Sequence, residues 1–133
     1  MKILSGSRPR RGAMWIAAAL LAFGSAGLPA MPAVAGYGAI AWDQQSGKAG
    51  WIWDQPTAPK AAEMALSKCG ASGCKVIIHT DPKRCAAIAT IPDGKAAGAA
   101  ARGTQDAARL AALTQCQKRK AGDCVVRASA CNK

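Results

Sequence analysis

The chain has 133 residues, with 18 basic against 7 acidic, one histidine and six cysteines, and a formal net charge of +11. That length holds one compact domain and little more, and the cysteine spacings lack the close knuckles of a zinc ribbon. Half of the residues are hydrophobic, but much of that share is alanine, which buries little surface per residue, so a core built from it needs help.

Residues 1–35 read as an export leader. Lys2, Arg8, Arg10 and Arg11 form a positive start, and Ala13 to Phe23 supply a short apolar stretch. Gly24, Pro29 and Pro32 break any helix, and Ala33-Val34-Ala35 fits a small-x-small cleavage site before Gly36. The apolar run falls short of the about 18 residues that a bilayer span requires, so no transmembrane anchor is expected after processing. The Arg10-Arg11 pair reads as ordinary leader charge, because twin-arginine export carries chains folded where structural disulfides do not form. Removing the leader leaves 98 residues and a net charge of +7, with a periplasmic or secreted address expected.

Beyond the leader, Tyr37 to Trp42 is a short β-compatible run, Gln44 to Gly47 a polar turn, and Gly50 to Trp53 a second strand. Side chains alternate along a strand, so Trp51 and Trp53 share one face. Thr57 is placed to cap a helix with Pro59 in its first turn. Ala62, Ala65, Leu66 and Cys69 then fall at the spacing of an apolar helical stripe, and Gly70 ends it. Lys75 to Thr80 is the most β-prone stretch of the chain. After a joint at Asp81-Pro82-Lys83-Arg84, strands are expected at Cys85 to Thr90 and Ala96 to Ala101, with a turn at Pro92-Asp93-Gly94 between them. Thr104 caps a helix running through Cys116, and Cys124 to Ala130 closes the chain.

These two series are one series written twice. Ala39-Ile40-Ala41, Gly47-Lys48-Ala49, Ala65-Leu66, Cys69 and Cys74-Lys75-Val76 return as Ala87-Ile88-Ala89, Gly94-Lys95-Ala96, Ala112-Leu113, Cys116 and Cys124-Val125-Val126, at offsets of 48, 47 and 50. The expected architecture is α+β: one domain over residues 36–133, made of two ββαβ repeats (about 37–80 and 85–131) related by a pseudo-twofold axis. It has about six short strands and two helices. An even cysteine count in a small exported domain reads as a disulfide framework. Matching positions take matching partners, giving Cys69–Cys74 and Cys116–Cys124 and leaving Cys85 to join Cys131. The chain-entropy model assigns about 2 kcal/mol to the tightest loop and about 4 kcal/mol to the longest, a large share of a typical stability of about 5–15 kcal/mol. No metal or other cofactor is expected.

The inventory for catalysis is thin, and a non-enzyme is expected. His79 stands alone within a β-prone strand, Glu63 is the single glutamate, and Asp93 and Asp123 lie in turns, where aspartate serves the backbone. No nucleophile elbow, phosphate loop or metalloprotease helix is present, and the even cysteine count leaves no thiol over. Two features bear on binding. Trp42, Trp51 and Trp53 can form an aromatic platform, or Trp51 and Trp53 can fill the space between sheet and helix. Lys118-Arg119-Lys120, in the loop that Cys116–Cys124 closes, can meet an anionic surface or be plain solvated charge. Nucleic acid is not an expected partner, since no recognised module fits and the chain is exported.

The combined pattern resembles the family catalogued as domain of unknown function 4189. It is carried by Tyr37-Gly38-Ala39-Ile40-Ala41, Gly50-Trp51-Ile52-Trp53, a helix ending in Cys69, Cys74-Lys75-Val76 and their second-half counterparts, over Gly36 to Cys131. The resemblance implies an exported bacterial domain with no assigned activity. Members often carry aromatics in both second strands, whereas Gly98 and Ala100 here stand opposite Trp51 and Trp53. The expected function is a non-enzymatic binding module for a protein or an anionic envelope component; the alternative is an exported enzyme, or an enzyme inhibitor, acting on an envelope polymer.

Overall fold

The computed structural model describes residues 36–119 and 122–133, together with Gly27. The leader expected over residues 1–35 therefore lies, Gly27 apart, outside the described residues, as does Lys120.

Eight elements follow in chain order: β1 (Tyr37–Trp42), β2 (Ala49–Gln55), α1 (Ala58–Cys69), β3 (Lys75–Thr80), β4 (Cys85–Thr90), β5 (Ala97–Arg102), α2 (Gln105–Arg119) and β6 (Val125–Cys131). Each repeat makes its own antiparallel three-stranded sheet, in the orders β2-β1-β3 and β5-β4-β6. The layers run helix, sheet, sheet, helix, and the alternation of side chains along each central strand explains why. In β1, Ala39 and Ala41 face α1, where they meet Ala61, Ala65 and Cys69. The intervening Ile40 and Trp42 face the second sheet, where they join Ala86, Ile88, Ala97 and Ala99. In β4, Ala87 and Ala89 face Ala108, Ala112 and Cys116 of α2.

Alanine on both surfaces lets each helix lie close to its sheet, and one glycine per repeat allows the closest approach. A Cβ on Gly50 would run into the backbone of Ala65, Lys68 and Cys69, and a Cβ on Gly98 would run into that of Ala112, Gln115 and Cys116. The pseudo-twofold axis passes between two other glycines. Gly47 and Gly94, with φ of 72° and 75°, lie in the β1–β2 and β4–β5 turns, and each blocks any side chain at the other. Trp42 bridges the repeats at this point, its Nε1 donating to the Gly94 carbonyl at 2.6 Å.

Three disulfides hold the sandwich: Cys69–Cys74, Cys116–Cys124 and Cys85–Cys131. The first two tie each helix end to its following strand, and the third joins directly facing positions on β4 and β6. These are the pairs that the repeat argument yields.

Some details differ from the sequence reading. The buried stripe of α1 is Ala61, Ala65 and Cys69, while Leu66 is exposed. Ala61-Ala62 and Ala65-Leu66 are adjacent apolar pairs, so the pattern left the facing ambiguous by one position, and the small-residue face won because it lets β2 come near. Helix α2 continues past Cys116 to Arg119. Gly70 stops α1 immediately after Cys69 in a left-handed conformation, φ 71°, whereas Gln117, Lys118 and Arg119 are good helix formers with no glycine before Gly122. Strand β2 is also longer than expected, reaching Gln55.

Candidate functional site

The tryptophans lie between the sheets, not between sheet and helix. Trp42 is buried, and Trp51 and Trp53 are half-buried against Ile40, Ile88, Ala97 and Ala99. Since Gly50 and Gly98 make the same helix contact, the repeats align there at an offset of 48. The counterparts of Trp51 and Trp53 are then Ala99 and Ala101, one step on from the Gly98 and Ala100 expected from sequence. The intersheet layer sets indoles on one side against methyl groups on the other.

That asymmetry leaves one cleft open. A groove of about 340 Å³ runs between the edge strands β3 and β5, with Ala97 and Ala99 to Ala101 on one wall and Trp42, Ile77 and Ile78 on the other. Arg102, Gln115 and Arg119 stand at its rim. On the opposite side of the sandwich, the indoles occupy the intersheet space. The depression there is lined by Ala49, Gly50, Trp51 and Lys68, all from the first repeat, and does not reach across to β6.

Charge follows the same division. Residues 36–82 hold four basic and four acidic side chains, while residues 83–133 hold ten basic and three acidic. Among the described residues, the one ion pair is the exposed Lys60–Glu63 at 3.9 Å. Among the described residues, no cation of the second repeat forms an ion pair with a carboxylate of the chain. Lys118 and Arg119 project from the last turn of α2, not from a loop as the sequence suggested. Lys118 lies with Arg102, Leu110 and Thr114 around a second depression on the outer face of α2. Arg102, Gln115 and Leu110, the last 67% exposed, were not singled out in the sequence; only the end of β5 and the length of α2 bring them together.

The residues weighed for catalysis are dispersed. His79 is exposed on β3, the Asp93 carboxylate accepts from the Lys95 amide at 2.8 Å within its turn, and Asp123 is exposed beyond α2. Among the described residues, no three of His, Cys, Asp and Glu gather as metal ligands would, and no helix is long and apolar enough to cross a membrane. Two buried polar residues that sequence reasoning passed over are structural. Asp43 accepts from the Ser46 hydroxyl at 2.7 Å and from the amides of Gln45 and Ser46, contacts that hold its carboxyl below the usual aspartate range. Asn132 donates to the carbonyls of Thr80 and Asp81 and accepts from the Asp54 amide, fastening the chain's end to the first repeat.

A small, disulfide-bridged α+β domain built twice over, with a groove that carries two arginines between β3 and β5, is the class of protein that this geometry defines. The chain belongs to the family described as Domain of unknown function (DUF4189), whose model matches residues 37–131. Two uncharacterized mycobacterial proteins, Rv1813c of Mycobacterium tuberculosis and Mb1843c of Mycobacterium bovis, are 45% identical to it over 64 residues. That match takes in 48% of this chain and spans 42% of the length of those relatives. The NMR structure of Rv1813c superposes with a TM-score of 0.53 at 30% identity, covering 99% of this chain and 97% of that one.

Proposed function

We propose that this protein is an exported, non-enzymatic binding domain whose second repeat engages an anionic component outside the cytoplasm. The observation that carries this reading is the charge of residues 83–133, ten cations against three acids, of which Arg102 and Arg119 line the groove between β3 and β5. A cleft lined by one sign of charge on low-dielectric walls concentrates ligands of the opposite sign. Export is supported by the leader pattern before Gly36 and by three disulfides, which persist in oxidising compartments.

The test is retention of the oxidised protein by anionic envelope material, read as a function of salt. Binding is expected to fall with ionic strength, and to fall about tenfold or more when Lys118 and Arg119 are both replaced by glutamate. Salt-independent retention, or retention unchanged in the charge-reversed variant, overturns the reading.

A further inference from the structure

The two repeats differ at one further place. From Ala39 opposite Ile52 to Tyr37 opposite Gln55, the chain advances two residues in β1 but three in β2. The matching stretch of the second repeat, from Ala87 opposite Ala100 to Cys85 opposite Arg102, advances two in both strands. One residue of β2 is therefore extra and has no counterpart in β5. The backbone marks it as Asp54, which alone in that strand turns left-handed, at φ 55°. Aspartate tolerates this conformation better than most residues, and a bulge re-aims the side chain that it carries.

Here it aims the carboxylate at the start of the domain. A Cβ on Gly36 would come within 2.6 Å of Asp54 Oδ1 and 3.0 Å of the Lys133 carbonyl oxygen. The same Oδ1 accepts from the Lys133 amide at 2.7 Å. Gly36 is buried, and its nitrogen shares a carbon with that notional Cβ, which keeps it within about 5 Å of the carboxylate oxygen. In the second repeat the chain runs on without a break. Gly36 is matched there by Arg84, at the offset of 48 that relates Ala39 to Ala87, and Arg84 is exposed. The extra carboxylate thus stands in the repeat whose first residue follows Ala33-Val34-Ala35, the expected cleavage site.

We infer that Gly36 is a processing site whose product the fold holds: cutting the Ala35–Gly36 bond frees an α-amino group that pairs with the Asp54 carboxylate. This rests on the export half of the proposed function and is independent of the anionic partner. The C–N bond breaks as one water is added; Ala35 leaves as a carboxylate and Gly36 keeps the nitrogen as an ammonium. A buried ammonium is costly without a counter-ion, and Asp54 supplies one. The uncut amide carries no charge for it to meet, so processing adds an attraction that the precursor lacks. Burial of Gly36 also sets the order of events, since a peptidase reaches this bond only before the domain closes.

The experiment expresses the full chain in an exporting bacterium and recovers the oxidised product. Its intact mass should be that of residues 36–133 with three disulfides. The Gly36 amine is then titrated by NMR, through the Cα shift of labelled glycine. Besides Asp54, the charged groups that meet this end of β1 are Lys133 and, since Gly38 faces Thr80, Asp81 and Lys83 of the joint beyond β3. The amine pKa is expected above the ordinary range of about 7.7–8.0. It should return to that range in Asp54→Asn and stay raised in Asp81→Asn. Asparagine keeps an oxygen for the Lys133 amide and tolerates φ 55°, so the variant retains its fold. A raised folded pKa means that the pairing stabilises fully below the unfolded value and is lost as pH rises through the folded one. An amine that titrates in the ordinary range, or stays raised in Asp54→Asn, overturns the pairing and leaves export standing. So does a cut at another bond. An uncut chain retained in the cytoplasm overturns both.

Discussion

Gly50 and Gly98 occupy the same place in the two repeats, each with a helix backbone pressed against it, yet the residues one step on are Trp51 and Ala99. The contacts between each helix and its sheet have been kept in both copies, while the layer between the sheets has diverged. Keeping follows from geometry, since a helix that lies that near a strand tolerates no side chain at the contact. Divergence is possible between the sheets because only the sum of the two facing volumes is constrained, and indole against methyl satisfies it as well as two side chains of middle size. The first repeat thereby took the bulk, and the second was left with an open cleft and the charge.

The disulfides offer the largest way to test that division. Cys85–Cys131 spans 46 residues and clamps the alanine-rich second sheet, where the first has Tyr37 and no equivalent bridge. Replacing both cysteines by alanine is expected to cost about 4 kcal/mol, against about 2 kcal/mol for the same change at Cys69 and Cys74, as read from chemical denaturation. Equal losses would mean that the second sheet does not depend on its clamp.

Next come the paired glycines. Gly50→Ala and Gly98→Ala are each expected to lose about 3 kcal/mol, because a strand or a helix must move to admit the methyl group. The two losses should agree closely. A large difference would show that the helix contacts have diverged along with the intersheet layer.

Asn132 probes the joint between the copies. Its side chain is buried, and its three hydrogen bonds reach the ends of β2 and β3 from beyond the last strand of the other repeat. Asn132→Ala leaves the Thr80 and Asp81 carbonyls and the Asp54 amide without that partner, at an expected cost of about 2 kcal/mol in denaturation experiments. No cost would mean that water replaces the side chain and that the repeats are held by the intersheet layer alone.

The duplication made most of this fold legible in the sequence. Ala97 to Arg102 has weak strand propensity, and its place was readable only because Ala49 to Gln55 precedes it in the other copy. The cysteine pairs followed from the same symmetry. What stayed hidden depends on contacts without a periodic signal. Alternation put Trp51 and Trp53 on one face, but whether that face meets a helix or a sheet depends on Gly50, whose crowding only the assembled structure displays. The register jumps that leave Ile77 unpaired in β3 and Arg127 unpaired in β6 leave no trace in a run of β-branched or mixed residues, and the groove between β3 and β5 was equally invisible. Arg102 was a lone cation at the end of a strand until α2 laid Arg119 near it.

The smallest effect concerns the two turns across the pseudo-twofold axis. Asp43 and Ile91 are counterparts: the amide of each closes its turn, onto Lys48 in one repeat and Ala96 in the other, and both side chains are buried. The first turn is held by the Asp43 carboxylate through the Ser46 hydroxyl and two amides, whereas in the second the Asp93 carboxylate accepts the Lys95 amide alone. With its pKa below 3.8 in the folded protein, through the Ser46 hydroxyl first and then the Gln45 and Ser46 amides, Asp43 binds its proton less readily there than in the unfolded chain. The resulting stabilisation is fully present above the unfolded pKa, near pH 4, and is lost as pH falls through the folded value. Acid should therefore loosen the Asp43–Lys48 turn before the Ile91–Ala96 turn, which amide exchange at stepwise lower pH would resolve. Asp43→Asn should flatten this part of the pH dependence while leaving the second turn unaffected. If both turns open together in the wild type, the carboxylate is incidental, and the contact between Gly47 and Gly94 couples the two turns into one unit.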